Sequence, residues 1–166
     1  MKRMAELVAT VGGVGYLRPA PGTWGSLVTL PMVWMFHLLG GFPLVLVAAI
    51  AAFFKGWWAT GLVTAGQDDH DPSEVVIDEV AGQMIALFPV SYSAWAMGLS
   101  ITALWPGWIA AFLLFRLFDI LKPGPVGWAD RRGDPLGVML DDVIAGFFAA
   151  IGVCILAWLS HGVIGL

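Results

Sequence analysis

Acidic side chains are scarce in the first half of this sequence: of twelve, only Glu6 precedes Asp68. Asp78 and Glu79 open one apolar run, Arg116 and Asp119 close another, and Asp141 and Asp142 begin a third. An ionised carboxylate beside hydrocarbon costs at least about 2.5 kcal/mol even on the lenient insertion scale, so several at one depth need cations, a metal or water. Arg116, Lys122, Arg131 and Arg132 are too few to neutralise them all. Oxygen donors without a cysteine or histidine cluster suit a hard ion, Mg2+ before Ca2+, and Mg2+ commonly takes one or two carboxylates together with phosphate oxygens. These residue types therefore point to metal-assisted chemistry on a phosphate.

Spacing refines this. Helical geometry puts Glu74 and Asp78 on one face, whereas the neighbours Asp78 and Glu79, and likewise Asp141 and Asp142, diverge by about 100°. One member of each pair is then expected to meet an ion and the other to orient the site or act as a base. Phe112, Arg116 and Asp119 share a stripe with Lys122 a turn later, and a plain Arg116–Asp119 pairing within a bundle explains part of that stripe. In Pro19-Ala-Pro-Gly-Thr-Trp-Gly-Ser26, Gly22 and Gly25 permit close backbone approach, Thr23 and Ser26 supply hydroxyls, and a helix start just afterwards would offer free N–H groups to an anion. A tight turn with an N-cap explains the same residues equally well. Asp68, Asp69 and Asp134 read as solvated loop acids, as does the loop histidine His70 beside Asp71. His37 and His161 have no obvious partner, and Cys154, the single cysteine, reads as a small core residue.

The elements that must position these residues are membrane helices. Apolar residues make up 59% of the chain and charged residues 12%, with a mean hydropathy of +0.85, far from soluble composition. No charge interrupts Arg18 to Lys55, Glu79 to Arg116, or Val143 to Leu166. Turn signals at Gly40-Gly41-Phe42-Pro43, Pro89 to Ser93 and Pro106-Gly107 divide these runs. The expected architecture is all-α, one domain over 1–166: a polytopic bundle of about five membrane-embedded helices near 24–39, 44–65, 73–88, 108–121 and 139–161, some short or re-entrant. No cleaved leader is expected, because Glu6 and the glycines Gly12, Gly13 and Gly15 interrupt the apolar start. With Lys2, Arg3 and Arg18 placed in the cytoplasm, nearly every charge falls on that face and Lys55 is the exception, snorkelling or pointing inward. Nucleic acid is excluded as a partner by the lack of a basic stripe. Membrane lipids are the surroundings, and an oligomer is compatible with the sequence. The competing function is a small ion- or proton-coupled transporter, disfavoured because the acids stop near one face and the far half offers little beyond Ser91, Ser93, Ser100 and Thr102. A scaffold leaves the clustered acids unexplained.

Four strings, PAPGTWGS at 19–26, DPSEVVIDEVAGQ at 71–83, FRLFDILKPGPVGWADRR at 115–132 and GVMLDDVIAG at 137–146, occur in order, and together they resemble the phosphatidylglycerophosphatase A family. The resemblance runs from the glycine turn at Gly12 to Gly146. It implies a Mg2+-dependent enzyme of the bacterial inner membrane, its site facing the cytoplasm, that converts phosphatidylglycerophosphate to phosphatidylglycerol and phosphate. Carried onto this sequence, it implies metal ligands among Asp71, Asp78, Glu79, Asp141 and Asp142, catalytic roles for Asp78, Glu79, Asp119 and Asp141, and substrate contacts from Thr23, Ser26, Arg116, Lys122, Asp130 and Arg131. Other phosphatase chemistries lack their residues here: there is no Cys-x5-Arg and no Pro-Ser-Gly-His. The predicted chemistry is in-line attack by water, with direct carboxylate attack through an acyl-phosphate as the alternative. A cysteine placed at Ser73 in a Cys154→Ala background is expected to react with an impermeant thiol reagent from the cytoplasmic side, and labelling from the periplasm alone would overturn the topology.

Overall fold

Proline marks the helix starts. Pro21, Pro89, Pro106, Pro125 and Pro135 all lie in the first turn of a helix, where a missing N–H costs nothing and the fixed φ suits the turn. The computed structural model describes residues 1–67 and 71–162. Asp68, Asp69, His70 and the His161 side chain, read above as loop or structural residues, lie outside what is described. Among the described residues all regular structure is helical, as the composition predicts.

Helix α1 (Lys2–Ala9), too short to be evident from the sequence, packs Ala5 and Ala9 inward and leaves Met4 and Leu7 exposed. Helix α2 (Pro21–Val63) has 43 residues, which at about 1.5 Å each would span twice a hydrocarbon core of about 30 Å. It doubles back instead. Gly40 and Gly41 leave helical geometry, and at Gly41, with φ 64°, a side chain would be strained and would meet the Trp95 ring. Gly25 in one arm and Gly56 in the other both abut the neighbouring residues Val76 and Ile77, so the arms are antiparallel and Pro21 and Val63 share one end of the bundle. The break expected at Gly40–Pro43 is thus present, and the first arm reaches the far end rather than re-entering.

The third pass differs from expectation at both ends. Helix α3 (Ile77–Ala86) begins four residues later than the acidic pattern suggests, and Glu74 lies in the preceding turn, so Glu74 and Asp78 share no helix face. That turn is held from outside by the Val76 N–H, which donates to the Ala9 carbonyl at 2.9 Å. At the other end Leu87 keeps right-handed helical geometry and α4 (Phe88–Met97) carries the pass onward, because Pro89 opens this helix rather than ending its predecessor. Phe42 stacks edge-on against Phe88 and Tyr92, tying α4 to the α2 turn. A 3-10 turn (Ile101–Leu104) leads into α5 (Trp105–Leu121), then the short α6 (Pro125–Asp130) and α7 (Pro135–Gly162). Three helical stretches are long and apolar enough to cross a membrane, Pro21–Val63, Ile101–Leu121 and Pro135–Ser160. With α2 doubled back and α3–α4 run together, the chain passes five times between the two ends.

α3 is the axis of the bundle: all its residues except Glu79 are buried. Its backbone touches α7 directly, since a Cβ at Gly146 would fall on the Gly82 carbonyl and one at Gly82 would strike Phe115 and the Asp142 carbonyl. Small residues of this kind let membrane helices approach closely. The outer surface is apolar, with Leu38, Val47, Ile50, Leu113, Ile151 and Ile155 exposed. Cys154 is also on this outer face, not in the core. Lys55 is exposed beside Phe54, Trp57 and Trp58, so it faces the interfacial aromatic zone rather than the bundle interior. His37, without an obvious partner in the sequence, has one in Ser91, Nδ1 to Oγ 2.8 Å. Gly146→Val should lower stability by about 1–3 kcal/mol through overpacking, read as a reduced unfolding midpoint in detergent; an unchanged midpoint would contradict the α3–α7 contact.

Candidate active site

Odd-numbered passes begin at the same end of the bundle, so the first turns of α2 and α3 and the second turn of α7 converge there, together with the last turns of α5. Between them lies a cavity of ≈ 330 Å3. Its acidic wall carries Asp71, Asp78, Glu79, Asp141 and Asp142; Arg116, Asp119 and Lys122 complete the charged lining. The sequence-derived pairs therefore do meet at one depth.

Asp78, Glu79 and Asp142 offer one carboxylate oxygen each within 4.8 Å of one another. This departs from the expectation that only one acid of an adjacent pair reaches a given point. Glu79 is longer than Asp78, and the Asp78 carboxylate turns back over the helix start to accept the Glu79 N–H at 3.0 Å. For the second pair the divergence holds: Asp142 joins the trio, while Asp141 turns to Lys122, 2.8 Å away. Glu79 lies over Gly22, where a Cβ would overlap its carboxylate and stand 3.2 Å from the Arg116 guanidinium. Gly22 is thus where α2, α3 and α5 touch.

The basic wall is built by a helix ending. Lys122 closes α5 in left-handed geometry, φ 46°, which turns its side chain back to bridge Asp130 and Asp141. Burial alone would lower the Lys122 ammonium pKa, but hydrogen bonds to Asp130 and Asp141 carry it above the ordinary lysine range, so it stays charged. Arg116 pairs with Asp119 at 2.6 Å and reaches Ser26 Oγ at 3.5 Å, so the plain ion-pair reading and a place in the cavity both hold. Glu79 Oε2 and Arg116 Nε are buried without a hydrogen-bond partner. A lost partner of this kind costs about 1–3 kcal/mol, more for charged groups, so the cavity is poised for something to complete it.

Other expected residues are not in the lining. Ser26 is fully buried behind Arg116 and donates to the Gly22 carbonyl at 2.9 Å. Thr23 lies in the first turn of α2, which begins at Pro21 inside the glycine motif rather than after it. Asp130 stands one contact back, on Lys122, and Arg131 folds against Gly127 of α6. Asp134 caps α7, accepting the Gly137 N–H at 2.6 Å; the Arg132 hydrogen bond and then that N–H hold its carboxyl below the usual range. The lining also includes residues the sequence did not single out: Ala20, Pro21, Val75 and Ile120, with Ser73, which accepts from Arg18 at 3.1 Å. Ile120 is 67% exposed and opens the cavity sideways toward lipid. Gln83, one turn below Glu79, is fully buried with neither amide atom bonded. Its signal was a lone amide in an apolar run within a motif already singled out.

An apolar helical bundle with a cavity of acids and bases at one end suits a membrane protein that handles a charged group. The phosphatidylglycerophosphatase A family matches residues 7–157, and the chain belongs to that family of phosphatases. It is 38% identical to phosphatidylglycerophosphatase A of Haemophilus influenzae over 89% of this chain and 85% of that one. Against phosphatidylglycerophosphatase A of Escherichia coli K12 the identity is 30%, over 87% and 78%. A Bacteroides thetaiotaomicron protein provisionally named a phosphatidylinositol-3-phosphatase is 35% identical over 95% and 98%. No solved structure gives a significant match.

Because Gly22 leaves room only for the Glu79 carboxylate, Gly22→Ala should displace that group while the helix, which favours alanine, stays intact. A misplacement of about 1 Å is expected to lower turnover on the order of 10²-fold with an unchanged unfolding midpoint, and wild-type turnover would show that Glu79 need not stand where it does.

Proposed function

We infer that this protein hydrolyses the terminal phosphate monoester of phosphatidylglycerophosphate, with Mg2+, at the cytoplasmic face of a bacterial inner membrane. The observation that carries the reading is the Asp78–Glu79–Asp142 trio facing Arg116 and Lys122 across one cavity in a chain of this family. The names of the Haemophilus and Escherichia relatives supply the substrate. The cytoplasmic placement rests on the basic residues Lys2, Arg3, Arg18, Arg131 and Arg132 taken as cytoplasmic, with Arg18 bonded to the cavity residue Ser73 and Arg131 and Arg132 between α6 and α7.

The residues fit a hard divalent cation: the trio is all carboxylate, and its oxygens are close enough to share one ion. Asp78, Glu79 and Asp142 would hold it, with Asp71 and Asp141 nearby. When bound, such an ion polarises a phosphoryl oxygen and lowers the pKa of water. The protein's own part is to place charge. Arg116 and Lys122 neutralise phosphate oxygens, and the free Gly22 and Thr23 N–H groups at the start of α2 add a positive helix end. Water bonds to phosphorus as the bond from phosphorus to the glycerol oxygen breaks; the proton lost by water passes through a lining carboxylate outside the trio, Asp119 or Asp141, to the leaving alkoxide. The acyl chains stay in lipid beside Ile120, and only the headgroup enters.

The far half lends the transporter reading no support, since its polar side chains His37 and Ser91, and Ser100 and Thr102, pair with each other. The Bacteroides relative favours one comparison: a 3-phosphorylated inositol lipid presents the same monoester and belongs in the assay. Purified protein should release phosphate from short-chain phosphatidylglycerophosphate with Mg2+ and cease with EDTA. Asp78→Asn and Asp142→Asn should each lose more than the roughly 10–100-fold that indirect partners of a metal cost. Undiminished release in EDTA, or folded variants at wild-type rate, would refute the metal assignment.

A further inference from the structure

Below the cavity floor, the side chain of Gln83 is completely buried, and neither its amide nitrogen nor its amide oxygen has a hydrogen-bond partner. Helical spacing sets Gln83 one turn from Glu79 on the same face of α3, with Cβ atoms about 5–6 Å apart. Two further buried polar atoms nearby lack partners: Glu79 Oε2 and Arg116 Nε. Glu79 and Arg116 already meet over Gly22. Donors and acceptors balance among these orphans. Gln83 Nε2 and Arg116 Nε donate, and Gln83 Oε1 and Glu79 Oε2 accept.

An amide without partners inside a membrane bundle has no packing rationale, since methionine would fill the same space without a polar group to desolvate. The neighbouring buried hydroxyls behave differently: Ser26 and Thr29 both donate to the carbonyl one turn back. Such local back-bonding explains how those hydroxyls are tolerated; the Thr60 hydroxyl also lacks a partner, but Gln83 is the one buried side chain among the described residues with both a donor and an acceptor unpaired. We propose that Gln83 is a positioning residue for Glu79: its amide N–H donates to the buried Glu79 Oε2 through one buried water, or directly once the carboxylate shifts onto an ion, and so fixes the carboxylate for a divalent cation. The proposal rests on the metal reading of the trio. In this structure the Asp78 carboxylate accepts a backbone N–H, whereas Glu79 Oε2 has no hydrogen-bond partner.

The test uses the full-length protein in detergent and compares wild type with Gln83→Met and Gln83→Asn. Three quantities are read: the unfolding midpoint without metal, the rise in that midpoint on adding Mg2+, and kcat and KM for short-chain phosphatidylglycerophosphate across Mg2+ concentrations. For Gln83→Met the expected result is a metal-free midpoint equal to or above wild type, a smaller Mg2+-induced rise, half-activation at about tenfold or more higher Mg2+, a fall in kcat, and little change in lipid KM. Gln83→Asn, whose amide falls short of Glu79, should behave like Gln83→Met. A metal-free midpoint that drops, with activity following the folded fraction alone, would make Gln83 structural and overturn the proposal. Wild-type Mg2+ response in both variants would overturn it too. A wild-type protein with no Mg2+ response defeats the parent reading instead, and that failure appears before any variant is made.

Discussion

Three carboxylates with oxygens within 4.8 Å of one another, set into a bundle whose outside is hydrocarbon-compatible, repel strongly. At an effective dielectric constant of 20, two full charges at that distance oppose each other by roughly 3 kcal/mol. The topology answers this. Five passes starting at the cavity end bring three helix N-termini there, those of α2, α3 and α7, and each carries a partial positive charge. Asp78 and Glu79 lie in the first turn of α3, where that charge and the free N–H groups are strongest. The C-terminus of α5 brings the opposite sign, and it is there that the chain supplies Lys122, turned inward by its left-handed cap. A bundle begun from the other end would place helix C-termini against the acids and worsen the repulsion.

The same convergence needs backbone contact that ordinary side chains would prevent. α3 has no lipid-facing stripe, so it must be covered on every side, and its neighbours come close at glycine: Gly25 and Gly56 on α2, Gly146 on α7. Because a helix buried all round shows no amphipathic period, α3 is recognisable in sequence by its motif rather than by its pattern. Its shortness also hides it, since α3 and α4 are each 10 residues and only together make a full pass.

What the sequence made legible was composition and punctuation. Long charge-free runs and the Gly40–Pro43 break yielded the helical hairpin of α2, α5 and α7, and the charged pairs at the run ends do share a depth. Two things were out of reach. Proline at 89 reads equally as a stop or a start, and which applies depends on whether Leu87 stays helical, a matter of packing against α2 through Phe42. The aim of a side chain at a helix end depends on rotamer and cap: angular spacing alone separated Asp78 from Glu79, yet a backbone N–H turns one carboxylate and length brings the other to the same point. The i to i+4 logic failed for Glu74 for a simpler reason, that no helix exists there.

Charge counting around the cavity gives the last constraint. Asp71, Asp78, Glu79, Asp119, Asp141 and Asp142 line it against Arg116 and Lys122, six acids and two bases, a formal −4 if all are ionised. A phosphate monoester is itself a dianion near neutral pH, and no arrangement of these two bases, each already engaged with a carboxylate, could draw it into so negative a space. With every acid ionised, admitting such a group calls for positive charge from outside the chain, as protons on the carboxylates or as a cation. A cation at the trio would be one source of that charge. The charge count also gives the paired bases a second role. As substrate enters, Arg116 and Lys122 can shift hydrogen bonds from Asp119 and Asp141 to phosphate oxygens, freeing those carboxylates to accept a proton as the nucleophile loses one.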